Sequence, residues 1–299
     1  MPTTVAPTLQ AMSDELVALA ARTAARLVHV HARAGRPIHG LAIDTDLVLT
    51  LDHAIEHDTI RVRTAEGRTL DAGLAGRDAS TNLAALRVAG LGLEPFAPAG
   101  EARAGQLVVA VARGAGGAPR ASVTVVQTAA GRLRGWRASA IEEVVRTDGT
   151  YGPDFAGAAL VDAAGQLVAM IPAGALRVAG VALPARRLLE IAWTLVREGG
   201  IPRGFLGIQC QQVPVPEAQR AGTSATRGLL VSSVSAGSAA EQGGLLVGDI
   251  LLSAGGEPVE RPEQLHAWLA RTPVGSAQAV EVVRGAARQV LSITIGRRP

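Results

Sequence analysis

The sequence predicts a mainly β protein made of two units, and three observations support this prediction. From Leu27 to Leu183, short apolar runs are repeatedly broken by Gly, Pro and Asp. Many short strands with frequent turns are typical of a closed or sandwiched all-β domain. A Gly-Gly-Ile-Pro stretch at 199–202 then interrupts the pattern and is predicted to be a linker. Roughly 95 residues follow it, which is enough for one further small domain.

Two helices are predicted on either side of the β-rich region. Between residues 8 and 26, apolar side chains recur close to helical spacing, as at Leu9, Met12, Leu16 and Leu19. Residues 185–198 show the 3.6-residue spacing of an amphipathic helix. The predicted segments are an N-terminal helix at 1–26, a β domain at 27–198, the linker at 199–202 and a second domain at 203–297.

Composition favours a folded protein and disfavours nucleic-acid binding. Of the 299 residues, 48% are hydrophobic and 18% are charged, so the chain can bury a substantial core. The net charge is only +3, every basic side chain is an arginine, and these arginines are scattered among acids. Nucleic-acid binders usually carry a clustered basic face with stacking aromatics. Because aromatics make up only 2% of this chain, no nucleic-acid partner is expected.

The single cysteine, Cys210, excludes an internal disulfide and fits a reducing compartment. The first residues lack the basic and apolar regions of a signal peptide. No apolar run approaches the roughly 20 residues that span a bilayer. We therefore expect a cytoplasmic protein without a membrane partner.

The stretch TDGTYGPDFAGAALV at 147–161 resembles the active-site frame T-D-x-x-x-x-P-G-N-S-G-G-P-L-V of the HtrA/Deg family. Members of this family join a trypsin-like serine protease domain to a peptide-binding PDZ domain. Further segments resemble family motifs in the same order. They are VLTLDHAIE (48–56), GRDASTNLAALRV (76–88), GVALPARRLLE (180–190), IPRGFLGIQ (201–209) and GLLVSSVSAGSAAEQGGLLVGDILLSAGGEPV (228–259).

The resemblance implies a specific fold for each predicted domain. Residues 27–198 should form a trypsin-like double six-stranded β-barrel, the chymotrypsin fold. Residues 203–297 should form an α+β PDZ domain. The overall fold class is therefore mainly β.

The same resemblance implies a degenerate catalytic triad. His53 falls on the catalytic histidine, Asn82 on the aspartate, Ala156 on the serine and Asp154 on the oxyanion-hole glycine. Loss of the nucleophile in a comparable triad costs on the order of 10⁶ in kcat. Asp-to-Asn costs about 10⁴, because the amide favours the wrong histidine tautomer. We therefore expect an inactive serine endopeptidase homologue, a pseudoprotease without a functional catalytic residue. The alternative is an HtrA/Deg endopeptidase with residual or non-standard active-site residues.

Neither a replacement nucleophile nor a metal site is expected among the other side chains. Thr150, Ser139 and Cys210 are predicted to be ordinary loop or strand residues rather than replacement nucleophiles. His29, His31 and His39 could together bind a metal, but no carboxylate or cysteine joins them at a standard spacing. Solvent-facing strand histidines are expected instead, with no metal and no cofactor.

By the resemblance, the PDZ domain supplies the binding function. Such domains add a peptide as a strand to an exposed sheet edge, beside a helix. Phe205, Leu206, Gly207 and Ile208 look like the carboxylate-binding loop. Replacing Gly207 by a β-branched residue is expected to abolish peptide binding and to leave the fold largely intact. The side chains expected to line the pocket from the facing helix are Leu265, Trp268 and Leu269.

The apolar character of that pocket predicts partners with hydrophobic C-termini, either peptides or unfolded proteins. The expected role is that of a chaperone, an adaptor or a regulator. An active HtrA-type paralogue is a further expected partner. A homo-oligomer is also expected as a possibility, because members of the family commonly form trimers.

Overall fold

The structure is a computed structural model of the chain. Its described residues form two compact units, Met1–Ile201 and Pro202–Pro299, and each unit is described by itself. Ser139 lies outside the described residues. The described residues are 7–33, 35, 37–57, 59–114, 116–129, 133–134, 140–141, 143–172, 180–201, 203–215, 217, 225–285 and 287–297.

The first unit opens with helix α1 (Pro7–Ala25), followed by a closed six-stranded barrel in the order β1-β2-β3-β6-β5-β4. All neighbouring strands are antiparallel, and pairing of β1 with β4 closes the barrel, so it has no free edge. The strands are β1 (Leu27–His31), β2 (Ile38–Ala42), β3 (Leu47–Leu51), β4 (Ile60–Arg63), β5 (Thr69–Asp78) and β6 (Leu83–Arg87).

A second closed barrel follows, in the order β11-β14-β13-β12-β7-β8, and a two-stranded ladder of β9 and β10 lies outside it. Leucine, valine and alanine fill both barrel interiors, as Leu49, Leu83 and Leu160 illustrate. The strands are β7 (Leu107–Arg113), β8 (Pro119–Thr128), β9 (Leu133–Arg134), β10 (Ala140–Ile141), β11 (Val145–Thr147), β12 (Ala156–Val161), β13 (Leu167–Pro172) and β14 (Val181–Pro184).

Helix α2 (Ala185–Glu198) closes the first unit and buries one apolar face, including Leu188 and Leu195. It ends at Gly199, whose φ of 71° is the left-handed conformation that glycine adopts without strain. Strand β5 passes directly beneath the helix, because a side chain at Gly76 would overlap the Leu195 carbonyl oxygen. The predicted helix therefore has the predicted bounds, and it packs on β5 and β6 of the first barrel.

The second unit contains a six-stranded antiparallel sheet, in which five strands follow the order β16-β17-β18-β20-β21 and β19 pairs with β18, and a separate β15–β22 ladder. Two short helices, α3 (Ala239–Gln242) and α4 (Pro262–Arg271), accompany it. The strands are β15 (Gly204–Phe205), β16 (Ile208–Pro214), β17 (Arg227–Val234), β18 (Ile250–Ala254), β19 (Glu257–Pro258), β20 (Ala277–Arg284), β21 (Ala287–Thr294) and β22 (Gly296–Arg297).

The mainly β fold class is confirmed, with two six-stranded barrels followed by a β-rich PDZ-containing domain. Two features of this second unit position its candidate site. Strand β16 is a terminal strand of the sheet, and in the described part of the unit only β17 pairs with it. Helix α4 packs close to β15 and β16, so a helix and a sheet edge lie side by side.

Candidate functional site

His53 lies in a single 3-10 turn, Asp52–Ala54, directly after β3. Asn82, just before β6, holds this turn through its main chain and its side chain. The Asp52 N–H donates to the Asn82 carbonyl oxygen at 2.9 Å, and the His53 N–H donates to Asn82 Oδ1 at 3.1 Å. The same Oδ1 lies 3.0 Å from His53 Nδ1. One amide oxygen thus faces both the backbone and the ring of the histidine.

This arrangement fixes the histidine tautomer. A main-chain N–H can only donate, so the Asn82 atom that meets the His53 N–H must be the acceptor oxygen. The ring Nδ1 facing that oxygen must then carry the proton, which leaves the lone pair on Nε2. The expectation that Asn82 would favour the wrong tautomer is therefore wrong, because the backbone of His53 decides which end of the amide faces the ring. The Asn82 Nδ2 is buried and has no partner among the described residues.

The backbone at Asn82 explains why an amide or acid suits this position. Its φ is 57°, and it is the only residue other than glycine with a positive φ in the described chain. Asparagine and aspartate tolerate the left-handed region better than other side chains. Asn82 is also buried, so its side-chain oxygen accepts hydrogen bonds out of contact with solvent.

A second contact to the histidine turn comes from Arg77, which sequence reasoning missed. Its Nε lies 2.5 Å from Asp52 Oδ1, and its terminal nitrogen donates to the carbonyl oxygens of Asp52 and Ile55 at 3.3 and 3.2 Å. The Asp52 side chain is largely buried, whereas that of Arg77 is partly exposed. The acid next to His53 in the sequence was the only signal that could have pointed to such a basic partner.

Ala156 begins β12, directly after a 3-10 turn at Pro153–Phe155. Within this turn the Phe155 N–H donates to the Gly152 carbonyl at 2.9 Å, and the Ala156 N–H donates to the Pro153 carbonyl. By the resemblance, the amide of residue 156 is one of the two oxyanion-hole donors. In this structure, the N–H of residue 156 donates its hydrogen bond to the Pro153 carbonyl within the turn.

Asp154 and Phe155 are held by neighbours in the second barrel. The Asp154 carboxylate forms an ion pair with Arg120 of β8, and both side chains are partly exposed. The Phe155 ring lies 5.9 Å from that of Tyr151, and both pack against the core of the second barrel. Thr150 is exposed in the same loop. Strand β12 also packs against β2 and β3, and β3 leads into the His53 turn.

A buried cluster of His29, His39 and Arg113 lies where β12 meets β2. The Arg113 N–H donates to His39 Nε2 at 2.8 Å, the Arg113 carbonyl oxygen lies 3.1 Å from the same atom, and the His39 Nδ1 faces a carbonyl oxygen and therefore carries the proton. That Nδ1 lies 3.0 Å from the Ala156 carbonyl oxygen and donates to it. His29 Nε2 lies 3.2 Å from the Arg113 carbonyl oxygen. The expectation of solvent-facing histidines is wrong here, since His29 and His39 are 5% and 3% exposed.

The Arg113 guanidinium is stabilised by carbonyl oxygens instead of a carboxylate. It donates to Leu27 at 3.0 Å, Arg63 at 3.1 Å and Thr64 at 2.9 Å, and its Nε has no partner in the described chain. Burial lowers the pKa of His29 to about 4, and the charges of His39 and Arg113 also lower it. Burial likewise lowers the pKa of His39.

These histidines do not form a metal site in the described part of the chain. His31 is exposed, and its ring meets that of His29 edge-on with centroids 6.4 Å apart. Among the described residues, no group of three His, Cys, Asp or Glu side chains is placed to hold a metal ion. The helices in those residues also lack the length and apolar character needed to cross a membrane.

In the second unit, the loop before β16 has its carbonyls turned toward the α3 region. The Ala240 N–H donates to the Leu206 carbonyl at 2.9 Å, and the Ser235 N–H donates to the Gly207 carbonyl at 2.8 Å. In a trans peptide the next N–H points the opposite way. The N–H groups of Gly207 and Ile208 are therefore directed away from α3.

Both the backbone conformation and the close packing at position 207 require a glycine. Its φ is 80°, and an added Cβ would overlap the Cβ of Ser238, the N-cap of α3. A β-branched residue would therefore displace α3. The expectation that such a change leaves the fold intact is wrong for this steric reason.

The other predicted binding residues share one apolar core. Leu206, Leu265, Trp268 and Leu269 are buried together, and Ile208 packs against them half-buried. Trp268 is directed to the β18–β19 turn, since an added Cβ at Gly255 would lie 2.7 Å from its Nε1. Leu269 lies beside β15. Phe205 is half-buried near the Gly207 loop.

Comparison with known proteins agrees with this architecture. The trypsin-like peptidase domain family matches residues 39–170, and the PDZ domain family matches residues 230–284. The chain is 30% identical over 270 residues to the probable periplasmic serine endoprotease DegP-like of Pseudomonas savastanoi pv. phaseolicola, covering 87% of this chain and 56% of that protein. It is 28% identical over 256 residues to the periplasmic serine endoprotease DegP of Escherichia coli strain K12, covering 82% and 54%. The chain thus spans about half the length of the curated relatives it matches.

Solved structures share the fold. The HtrA-type protease AlgW with decapeptide superposes with a TM-score of 0.69 at 22% identity, covering 94% of this chain and 98% of that chain. The serine endoprotease from Yersinia pestis gives a TM-score of 0.68 at 23% identity, covering 95% and 98%. The class is therefore a trypsin-like peptidase domain followed by a PDZ domain. The chain is thus similar to named DegP-type endoproteases in sequence and to HtrA-type proteases in fold.

Two expectations from the sequence are contradicted by these relatives. The expectation that the chain is not an enzyme is contradicted because both curated relatives are named serine endoproteases. The residue types at the triad positions predicted inactivity, whereas in the structure Asn82 Oδ1 places the ring proton of His53 on Nδ1 and the lone pair on Nε2. The expectation of a cytoplasmic location is contradicted because both relatives are named periplasmic.

Proposed function

We propose that this chain is an HtrA/Deg-type endopeptidase that works with a non-standard set of active-site residues and binds peptide C-termini through its PDZ domain. The observation that supports the catalytic part is the double acceptance by Asn82 Oδ1, which places the ring proton of His53 on Nδ1 and the lone pair on Nε2. A general base must have such a lone pair within reach of the proton that it takes.

The chemistry that follows uses water where the family uses a serine hydroxyl. Ala156 has only a methyl group, so no acyl intermediate forms on residue 156. Instead, a water oxygen attacks the peptide carbonyl carbon while His53 Nε2 takes the water proton. The C–N bond then breaks, the imidazolium returns the proton to the amine, and the products are a carboxylic acid and an amine. The rate should be low, because the attacking water is not held on the protein as a serine hydroxyl is and the N–H of residue 156 is used inside the 153–156 turn.

The test is hydrolysis of a fluorogenic reporter peptide by the purified chain and by its His53→Ala variant. We expect slow turnover by the parent chain and its loss in the variant, because the proton acceptor is gone. Both proteins are prepared identically, so a contaminating protease would contribute equally to each. Equal rates in the two preparations would refute the catalytic proposal.

The binding part of the proposal rests on the loop before β16. The N–H groups of Gly207 and Ile208 face away from α3, beside a strand whose outer edge is open in the described unit. Main-chain donors at the start of an edge strand are suited to a terminal carboxylate, and the strand itself is suited to an added peptide strand. Leu265 and Leu269 belong to the buried core of the unit, so the apolar side chain that supports preference for a hydrophobic last residue is the half-buried Ile208 at the start of β16.

Calorimetry with a peptide ending in valine tests this binding without altering the protein. The matched control is the same peptide with a C-terminal amide, which lacks the charged acceptor. Hydrogen bonds to a charged group contribute about 1.5–3 kcal/mol, so amidation should weaken binding about 10–100-fold. Equal affinity of the two peptides would show that the Gly207 loop does not hold a carboxylate.

A pair of variants then locates the site on one edge of the sheet. Ile208→Ala truncates a side chain on β16, whereas Val290→Ala makes a comparable truncation on β21 at the opposite edge, where Val290 is 65% exposed. We expect weaker peptide binding only for Ile208→Ala. Loss in both variants, or only at Val290, would argue against β16 as the docking strand.

We further propose that unfolded proteins with apolar C-termini use the same edge, which would give the chain a chaperone or adaptor role. An active HtrA-type paralogue and further copies of this chain remain proposed partners. Suppression of aggregation of a reduced model protein, with and without competing peptide, tests the first role. Size-exclusion chromatography with light scattering, alone and with the paralogue, tests the second.

A further inference from the structure

His39 links the first barrel to Ala156, the residue that stands at the position of the family's serine. The imidazole extends from β2 and its Nδ1 lies 3.0 Å from the carbonyl oxygen of Ala156 on β12. We propose that His39 is a positioning residue, which holds the Ala156 carbonyl and so sets the direction of the residue 156 side chain. This inference rests on the proposed function, because that function takes residue 156 as the position where the family's serine is replaced.

The donor role of His39 follows from its partners. A carbonyl oxygen can only accept, so the Nδ1 that faces the Ala156 carbonyl carries a proton. The Nε2 lies 2.8 Å from the Arg113 N–H, from which it accepts, and 3.1 Å from the Arg113 carbonyl oxygen. Because Arg113 ends β7, the ring is held between two strands of the second barrel. The ring is also excluded from water, since His39 is 3% exposed. A buried hydrogen bond of this kind has no competing solvent partner.

The main chain of His39 adds a second restraint on the same segment. Its carbonyl oxygen accepts from the Thr50 hydroxyl at 2.9 Å. The backbone of Gly157 lies against that carbonyl so closely that an added Cβ would overlap the oxygen. Gly157 has a φ of 76°, a conformation that glycine adopts without strain. Residue 39 therefore contacts the chain on both sides of the 156–157 peptide bond.

The direction of a carbonyl and that of the side chain on the same residue are coupled through the α-carbon. If the Ala156 carbonyl loses its donor, the peptide plane can rotate and carry the residue 156 side chain with it. A misplacement of 1 Å can cost about 10²-fold in rate. The effect of His39 should therefore appear as altered reactivity at position 156.

The experiment uses Ala156→Ser as a reporter of side-chain direction, labelled with a fluorophosphonate probe. Two substitutions of His39 are then compared in that background. Asparagine places its amide near the position of Nδ1 and can still donate to the Ala156 carbonyl. Glutamine places its amide near the position of Nε2 and can still accept from Arg113. The pair thus separates the two hydrogen bonds while removing the same imidazole.

Relative to Ala156→Ser alone, we expect His39→Gln to lower the labelling rate about 10²-fold. We expect His39→Asn to keep most of that rate. Thr50→Val is the control for a general loss of packing, since it removes the hydrogen bond to the His39 carbonyl and leaves the bond to residue 156. Thermal unfolding of all variants shows whether they are equally folded. Equal labelling of the Asn and Gln variants would overturn the positioning role.

A second measurement does not depend on reactivity. In the otherwise unaltered chain, His39→Gln should speed hydrogen–deuterium exchange over residues 156–158, and His39→Asn should not. If the Ala156→Ser background is not labelled at all, exchange alone decides the inference, and the comparison of the parent chain with His53→Ala still decides the proposed function. Unchanged exchange in His39→Gln would then overturn the positioning role.

Discussion

The side-chain oxygen of Asn82 accepts hydrogen bonds from both the main-chain N–H and the ring Nδ1–H of His53, at 3.1 and 3.0 Å. The pair therefore presents the Nε2 lone pair that a general base needs, without a carboxylate. An amide cannot stabilise the imidazolium as an anion does, so this arrangement orients the base but supports its charged form less strongly.

Placing a serine hydroxyl at position 156 should therefore raise the rate of peptide cleavage in part. We expect Ala156→Ser to cleave a reporter peptide faster than the parent chain, and about 10²–10³-fold more slowly than an active relative, since one oxyanion donor is used inside the 153–156 turn. Initial rates with each protein at equal concentration provide the measurement. A variant as slow as the parent chain would show that the Nε2 lone pair does not reach position 156.

Replacing Asn82 by aspartate should then raise kcat by less than the same carboxylate does in other triads. Asp-to-Asn costs about 10⁴-fold where the amide imposes the wrong tautomer. Because the tautomer here is already correct, we expect Asn82→Asp in the Ala156→Ser background to raise kcat by well under that factor. The pH dependence of kcat for the single and double variants checks this. A full 10⁴-fold gain would mean that the amide of Asn82 is turned the other way in solution.

The buried histidines predict a loss of stability at mildly acidic pH. The pKa of His29, at about 4, and that of His39 are lowered in the folded protein, so the unfolded chain binds more protons as the pH falls below about 6.5. Their contribution to stability is fully present above that pH and is lost progressively toward pH 4. The neighbouring charges are those of Arg113 and Arg63, which oppose a further cation.

Urea unfolding at pH 7.0 and 5.0 measures this effect. The control is His31→Gln, an exposed neighbour on the same strand, compared with His29→Gln. We expect His29→Gln to reduce the difference in unfolding free energy between the two pH values more than His31→Gln does. An identical pH dependence for the two variants would refute the assignment to the buried ring.

The PDZ unit should depend on one ion pair. Arg284 makes two contacts of 2.8 Å with Asp249, whose side chain is 1% exposed and also accepts from the Leu246 N–H. Removing one partner of a buried pair leaves an uncompensated charge, so we expect Arg284→Leu to destabilise this unit by about 3 kcal/mol. Denaturant unfolding followed by Trp268 fluorescence is the measurement. Arg288→Leu on β21, an exposed arginine, is the control and should cost less than about 1 kcal/mol.

The sequence was sufficient for elements with a strong local pattern. Helix α2 has the predicted bounds, and strands β1 and β3 are unbroken apolar runs in the predicted β region, because such runs and 3.6-residue spacing are local signals. Strands β2 and β5 carry a weaker local signal. Both contain glycines that interrupt alternation, and these glycines are explained only by contacts made elsewhere, as Gly40 meets Val48 and Gly76 meets the end of α2.

The residues of the candidate site likewise fall into those that the sequence predicts and those that only tertiary contacts reveal. Motif order identified His53 and Asn82, which the structure brings into contact. It did not identify Arg77, His39 or Arg113, because each acts through main-chain atoms of residues far away in the sequence. Nor could it give the tautomer of His53, which depends on the direction of one amide. Residue types can be aligned from sequence, whereas the direction in which a polar group points is decided by tertiary contacts.

The left-handed backbone at position 82 limits what mutation can do there. Only a few residue types tolerate that conformation, and among them only asparagine and aspartate also offer an oxygen at the right distance. Codons for these two amino acids differ by one base. A lineage can therefore exchange a neutral for an anionic neighbour of the imidazole in one genetic step and keep the surrounding loop unchanged.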